Sequence, residues 1–318
     1  MHDHEISHLS EFDRRKFLQY TALSTGVGLL GSLIESSIAQ ALPSIKLPGF
    51  SAFAQSVKVF KSNKYYLVES NGIPAHQMMV GIKSWQQQVP TVQPYSGSNA
   101  WSIPIKPVLA TNPMSAKDHF LRGAIAIAVN GVPIFNALNN RGDDALLAGE
   151  LDNWGGHCGR ADDYHYHIAP THLQGVVGTK VPIAYALDGF PIYGEKEPDG
   201  KKVIGLDALN GHFDAKKNYH YHATQTYPYL NGGFRGVVTE IDGQVDPQSL
   251  TKAFRPAGEP LRGAVITDLQ RTDPNSFDLT YSLNGVSGHV KYTATLSQVN
   301  MEFTDPTGAV RNETYLRK

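Results

Sequence analysis

A seventeen-residue pattern occurs twice without a gap, and no other feature limits the possible folds of this chain so strongly. Leu151-Asp152 … Gly156-His157 … Tyr164-His165-Tyr166-His167 returns as Leu206-Asp207 … Gly211-His212 … Tyr219-His220-Tyr221-His222, with eight of seventeen positions identical. A shorter pair precedes each copy: Val129-Asn130-Gly131-Val132-Pro133-Ile134-Phe135 matches Leu187-Asp188-Gly189-Phe190-Pro191-Ile192-Tyr193. The order is the same both times: apolar strand, Gly-x-Pro hairpin, acidic loop, histidine strand. A repeated supersecondary unit sets the architecture. The pattern predicts two related, mostly-β halves that face each other across a pseudo-two-fold axis.

Side chains alternate along a strand, so His165 and His167 share one face and Tyr164 and Tyr166 the other. Two imidazoles on one face can hold a single metal ion. His157 can supply a third ligand, and Asp152 a fourth or an orienting partner. The second copy offers His212, His220, His222 and Asp207 in the same spacing. One site shared across the axis and two separate sites are both compatible with this. So is a bland reading, in which each histidine simply hydrogen-bonds a carbonyl or carboxylate in the interior. Imidazole and carboxylate with almost no sulfur suit Zn²⁺, Cu²⁺, Mn²⁺ or Fe²⁺ and argue against Cu⁺ thiolate or iron–sulfur chemistry. Asp152, Asp207, Tyr166 and Tyr221 are the candidates for catalytic acid or base. Cys158, beside His157, is either a ligand, a reactive thiol or a small buried filler; its counterpart is Phe213. It is the one cysteine, so an intramolecular disulfide is excluded.

The two tetrads, the Gly-His loops, Ala186-Leu187-Asp188-Gly189-Phe190-Pro191-Ile192-Tyr193-Gly194 and Asn71-Gly72-Ile73-Pro74-Ala75-His76 together resemble the YHYH-domain proteins over residues 70–240. The resemblance implies a secreted or surface protein and adds His76 as a further site residue. It implies no particular reaction. Several members carry cysteines around the Gly-His loop and after the tetrad; this chain keeps only Cys158.

The N-terminus reads as a targeting segment. Asp13-Arg14-Arg15-Lys16-Phe17-Leu18-Gln19 resembles the twin-arginine motif, with Asp13 and Gln19 in place of the usual Ser/Thr and Lys. An apolar run from Tyr20 to Ile34 and the small-x-small Ala39-Gln40-Ala41 follow. Residues 1–41 are therefore expected to be a removable twin-arginine signal peptide, with export machinery as partner and a periplasmic or extracellular destination. A short anchoring helix is the alternative. No other stretch is apolar enough to span a bilayer. Residues 42–245 would hold the duplicated β core. Residues 246–318 would form an added antiparallel sheet, with hairpins at Asn284-Gly285 and Thr307-Gly308. With few short helices expected, the fold class is mostly β.

A formal net charge of −1 gives no electrostatic case for nucleic acid or a membrane surface. No phosphate loop, nucleophile elbow or zinc-protease motif is present, and no organic cofactor is implied. Three functions remain: a metalloenzyme that activates water, dioxygen or peroxide for a small-molecule or polymer substrate; a metal-storage module; and a structural domain without metal.

Overall fold

Short apolar runs broken by glycine and proline fold here into strands, as their composition requires. A computed structural model describes residues 45–317, and the expected export signal lies outside the described residues. Strands β1 (Lys58–Lys61), β2 (Tyr65–Glu69) and β3 (Trp101–Pro104) form an antiparallel sheet. β4 (Leu109–Ser115) closes the proline-interrupted stretch. The duplicated region then runs β5 (Ala124–Ala128), β6 (Pro133–Phe135), β7 (Gly156–Cys158) and β8 (Tyr164–Tyr166). Its second half runs β9 (Ala184–Ala186), β10 (Pro191–Tyr193), β11 (Gly211–Phe213) and β12 (Tyr219–His222). Between the halves lies α1 (Gln174–Val177), a single turn and the only α-helix among the described residues. No described helix is long and apolar enough to cross a membrane.

The eight strands make one sheet in the order β11-β12-β10-β9-β5-β6-β8-β7. The halves meet where β5 and β9 pair antiparallel, with Ile127 opposite Tyr185 and Ala126 and Ala128 opposite Ala186 and Ala184. Ile127 and Tyr185 are themselves repeat equivalents, so the pseudo-two-fold axis passes between them, perpendicular to the sheet. Every outer pairing obeys it. Ile134 pairs with Tyr166 as Ile192 pairs with Tyr221, and His157 pairs with His165 as His212 pairs with His220. The halves therefore lie side by side in one sheet; they do not face each other as the repeat alone led us to expect.

Register partners project to the same side of a sheet. Following them from β8 through β5 and β9 to β12 puts both histidine sets on one face and both tyrosine sets on the other. Ile127 and Tyr185 project to the histidine side. There Phe50 stacks on Tyr185 with ring centroids 5.7 Å apart, covering the middle of that face. Five strand spacings separate β8 from β12, which puts the two histidine sets about 24 Å apart.

β13 (Gly233–Gly236) pairs with β4, and β14 (Thr239–Ile241) with β15 (Gln244–Asp246). The last five strands form the expected antiparallel meander: β16 (Ala264–Asp273), β17 (Ser276–Leu283), β18 (Val286–Ala294), β19 (Gln298–Thr304) and β20 (Val310–Leu316). One face is apolar and buried, with Phe277, Leu279, Val290, Tyr292, Val299 and Met301 alternating with half-buried or exposed residues. The Gly81 N–H donates to the Ile266 carbonyl at 2.9 Å and the Ile266 N–H to the Ile82 carbonyl at 3.1 Å. Arg255 donates to both carboxylate oxygens of Asp162 at 2.8 and 3.0 Å, in a pair almost wholly removed from solvent. Asp162 lies just before the first tetrad, so the C-terminal segment braces the loop that presents it.

Candidate metal centres

Each histidine strand is held in place from its tyrosine side. Asp152 accepts from Trp154 and Gly156 N–H with one oxygen and from Tyr164 Oη and Met79 N–H with the other, at 2.7–3.1 Å. Asp207 does the same with Leu209, Gly211 and Tyr219 at 2.8–3.1 Å. The glycine before each loop histidine has a steric reason: a Cβ on Gly156 would lie 2.6 Å from the Tyr164 ring. These bonds turn the loop so that His157 reaches the opposite face.

On that face the Nε2 atom of His167 lies 3.1 Å from His165 Nε2 and 3.0 Å from His157 Nε2. The other nitrogen of each ring is committed. Nδ1 of His157, His165 and His167 meets the carbonyl oxygens of Glu150, Asp163 and Asn136 at 3.1, 2.9 and 2.5 Å. A carbonyl only accepts, so each Nδ1 carries the proton and each Nε2 presents a bare lone pair. The short Nε2–Nε2 contacts therefore cannot be hydrogen bonds. Three converging lone pairs fixed by backbone partners are the ligand set that a divalent ion requires. Burial, and then the neighbouring histidines, keep His157 well below its ordinary pKa and push His167 down to about 3, so these two rings stay neutral. Phe135 stacks on His165 with centroids 3.8 Å apart.

The first trio forms part of the wall of a cavity of about 510 Å³. Its remaining wall is mixed: the polar side chains of Gln86, Gln88, Arg122, Arg160, Gln244 and Gln248 alternate with apolar ones such as Trp101, Leu121 and Leu138. Asp163 also borders it, with a carboxylate oxygen 3.5 Å from His165 Nδ1.

The second trio repeats this geometry. His212 Nε2 lies 3.0 Å from His220 Nε2, and Nδ1 of His212 and His222 meets the carbonyls of Ile204 and Gly194 at 3.0 and 2.8 Å. His220 lies against the backbone of Asn218. Here a carboxylate joins: Glu197 Oε1 is 3.1 Å from His212, and Oε2 is 3.5 Å from both His220 and His222. Both groups could hold a metal ion.

Several sequence expectations need correction. The six imidazoles gather as two threes at opposite ends of the sheet, which rules out one shared site. Asp152 and Asp207 do not join them, because their carboxylates are used on the tyrosine face. Tyr166 and Tyr221 point the same way as those aspartates and are too far round the strand to serve the imidazoles as an acid. Cys158 is buried in the core, and no ligand group includes its sulfur. Burial pushes its thiol well up, so it is an inert filler.

His76 lies on the tyrosine side. Its Nδ1 donates to the Gln77 carbonyl at 2.8 Å, which leaves Nε2 to accept from Tyr166 Oη at 2.6 Å. Asn130 in turn donates to Tyr166 at 3.0 Å. His172 packs against His76 and Trp154 in the same cluster. In the other half, Tyr221 donates to Asp188 at 2.6 Å.

Glu197 was missed as a site residue, although the hairpin repeat aligns it with Asn139. No curated protein and no solved structure matches the chain. Residues 100–203, which span the first tetrad, its Gly-His loop and both Gly-x-Pro hairpins, match the family model described as YHYH protein.

Proposed function

We propose that this chain is an exported metal-dependent enzyme whose reaction centre is His157, His165 and His167. One observation carries the reading: three imidazole lone pairs converge on the wall of a 510 Å³ cavity, and among the described residues no fourth His, Cys, Asp or Glu joins them as a ligand. Three protein ligands with an open position is the arrangement of catalytic sites. A divalent ion held there would supply Lewis acidity and make a nucleophile of water near neutral pH.

The chain's own residues do the rest. Backbone carbonyls of Glu150, Asp163 and Asn136 lock the tautomer and aim the rings. Phe135 shields His165 from water and fixes its plane. The amide side chains and the two arginines of the cavity suit a polar substrate with anionic or carbonyl oxygens, a small molecule or a polymer segment. Zinc fits a hydrolytic reaction best, because it needs only one open position; Cu²⁺, Mn²⁺ or Fe²⁺ would support redox chemistry on the same ligands. Export rests on Arg14-Arg15 and the apolar run behind them.

Elemental analysis of protein exported by its own signal, followed by a panel of chromogenic esters, phosphates and amides, tests the reading. Metal at the first trio and turnover should both be lost in His165→Ala/His167→Ala. Metal retained unchanged in that variant overturns the site. Metal without turnover of any substrate leaves a storage protein in place of an enzyme.

A further inference from the structure

The two trios are repeat equivalents, yet only one has a carboxylate against its Nε2 atoms. Leu138 bridges Asp144 as Lys196 bridges Lys202, and the Asn139 N–H donates to the Asp143 carbonyl as the Glu197 N–H donates to that of Lys201. Asn139 and Glu197 thus occupy the same place in the two halves. Asn139 borders the cavity of the first trio and donates to the Glu150 carboxylate at 3.3 Å. Glu150 is also held by Arg141 at 2.5 Å. Glu197 turns inward onto the imidazoles.

That inward carboxylate meets three Nε2 atoms, and on His212 and His222 the other ring nitrogen already holds the proton. Acceptors then face acceptors, which is unfavourable unless a cation sits among them. His222 Nε2 makes the point most sharply: its side chain is 0% exposed and the atom has no hydrogen-bond partner. A buried polar atom without a partner requires an explanation.

We infer that Glu197, His212, His220 and His222 form a second metal site, closed by four protein ligands, that clasps the β11 edge of the sheet and takes no part in a reaction. Three imidazoles and one carboxylate complete a tetrahedral shell for zinc or a similar divalent ion. The duplicated sheet thereby divides its labour, with an open centre at one end and a structural one at the other. This inference stands on Glu197 and His222 and does not depend on the first centre being catalytic.

The test uses the full chain stripped by chelator and titrated with Co²⁺, followed by visible absorption, azide addition and thermal melting. His165→Ala/His167→Ala should bind one equivalent, with a four-coordinate spectrum that azide does not change and a raised melting temperature. Adding Glu197→Gln should weaken that equivalent at least about tenfold and make its spectrum respond to azide. If the double-alanine variant fails to fold, wild type and Glu197→Gln are compared directly, and the azide-inert class must be present in the first and absent from the second. In the double-alanine variant, no bound equivalent or an azide-sensitive spectrum with Glu197 intact overturns the inference, as does a Glu197→Gln protein that titrates like its Glu197 parent. Failure at the first centre looks different: the double-alanine variant would then match wild type in stoichiometry.

Discussion

Tyr164 donates its hydroxyl proton to Asp152 at 2.8 Å across the Gly-His loop, on the face of the sheet opposite the imidazoles. The same carboxylate oxygen also accepts from Met79 N–H at 2.7 Å. Asp152→Asn keeps the two bonds to the loop but sets an amide N–H₂ against the buried Met79 donor. The variant should lose about 2 kcal/mol of stability in denaturant melts, the cost of one buried unsatisfied donor. First-centre metal affinity should fall with it, because the bond holds the loop that carries His157. A catalytic Asp152 would instead abolish turnover with stability intact.

Gly156→Ala brings a methyl group to within 2.6 Å of the Tyr164 ring and 2.7 Å of the His165 carbonyl carbon's oxygen, neither of which can retreat in a packed strand. Stability should fall by about 2–3 kcal/mol, as for other overpacked interiors. Gly211→Ala should behave alike, since the Tyr219 ring stands over Gly211 as Tyr164 stands over Gly156. Chemical denaturation of both variants checks the equivalence of the halves.

Asp188 provides the pH dependence. Burial raises its carboxyl from 3.8 to about 6, against the pull of Tyr221 and of the Gly236 and Phe190 N–H groups. A raised folded-state pKa favours the protonated folded form, so the contribution is full below 3.8 and is lost as pH rises through about 6. Relative to Asp188→Asn, wild type should lose up to about 3 kcal/mol of stability between acid and neutral pH. Paired melts at several pH values measure it; a constant gap would show that Asp188 titrates normally.

Asn139→Glu tests the difference between the two centres directly. A carboxylate placed where Glu197 sits in the other half should complete the first trio's shell. Metal affinity there should rise about tenfold while turnover is lost, the reverse of ordinary damage to a ligand. Isothermal titration and the substrate panel report the two quantities separately.

Arg255→Leu leaves the Asp162 carboxylate buried without its partner. The cost should be about 3–5 kcal/mol, and Asp162→Asn in the same chain should restore part of it. A double-mutant cycle by thermal melting gives the coupling.

Much of the fold was legible because the repeat is close in both spacing and residue type. Strand alternation correctly separated His165 and His167 from Tyr164 and Tyr166. The Gly-x-Pro hairpins and the C-terminal meander also followed from local patterns. What could not be read was the relation between the halves. The sequence records no register, and the pairing of Ile127 with Tyr185 decides that the copies extend one sheet. Asp152 misled for a related reason: its spacing fits a ligand, but loop N–H groups and a tyrosine hydroxyl compete for it, and only three-dimensional placement shows that they win. Glu197 was hidden by the opposite effect. It has no identical counterpart, so identity within the repeat passed over it, although the substitution of Asn139 by Glu197 is where the copies differ most in chemistry.

The position of β7 and β11 at the two margins of the sheet has one more consequence. Each is three residues long and paired on one side only. Backbone bonding alone would leave such strips prone to fraying, or open to pairing with a neighbouring molecule. Side chains that lash each strip to the strand beside it work as a hem on cloth, and a chelator should unravel the fabric from its borders inward.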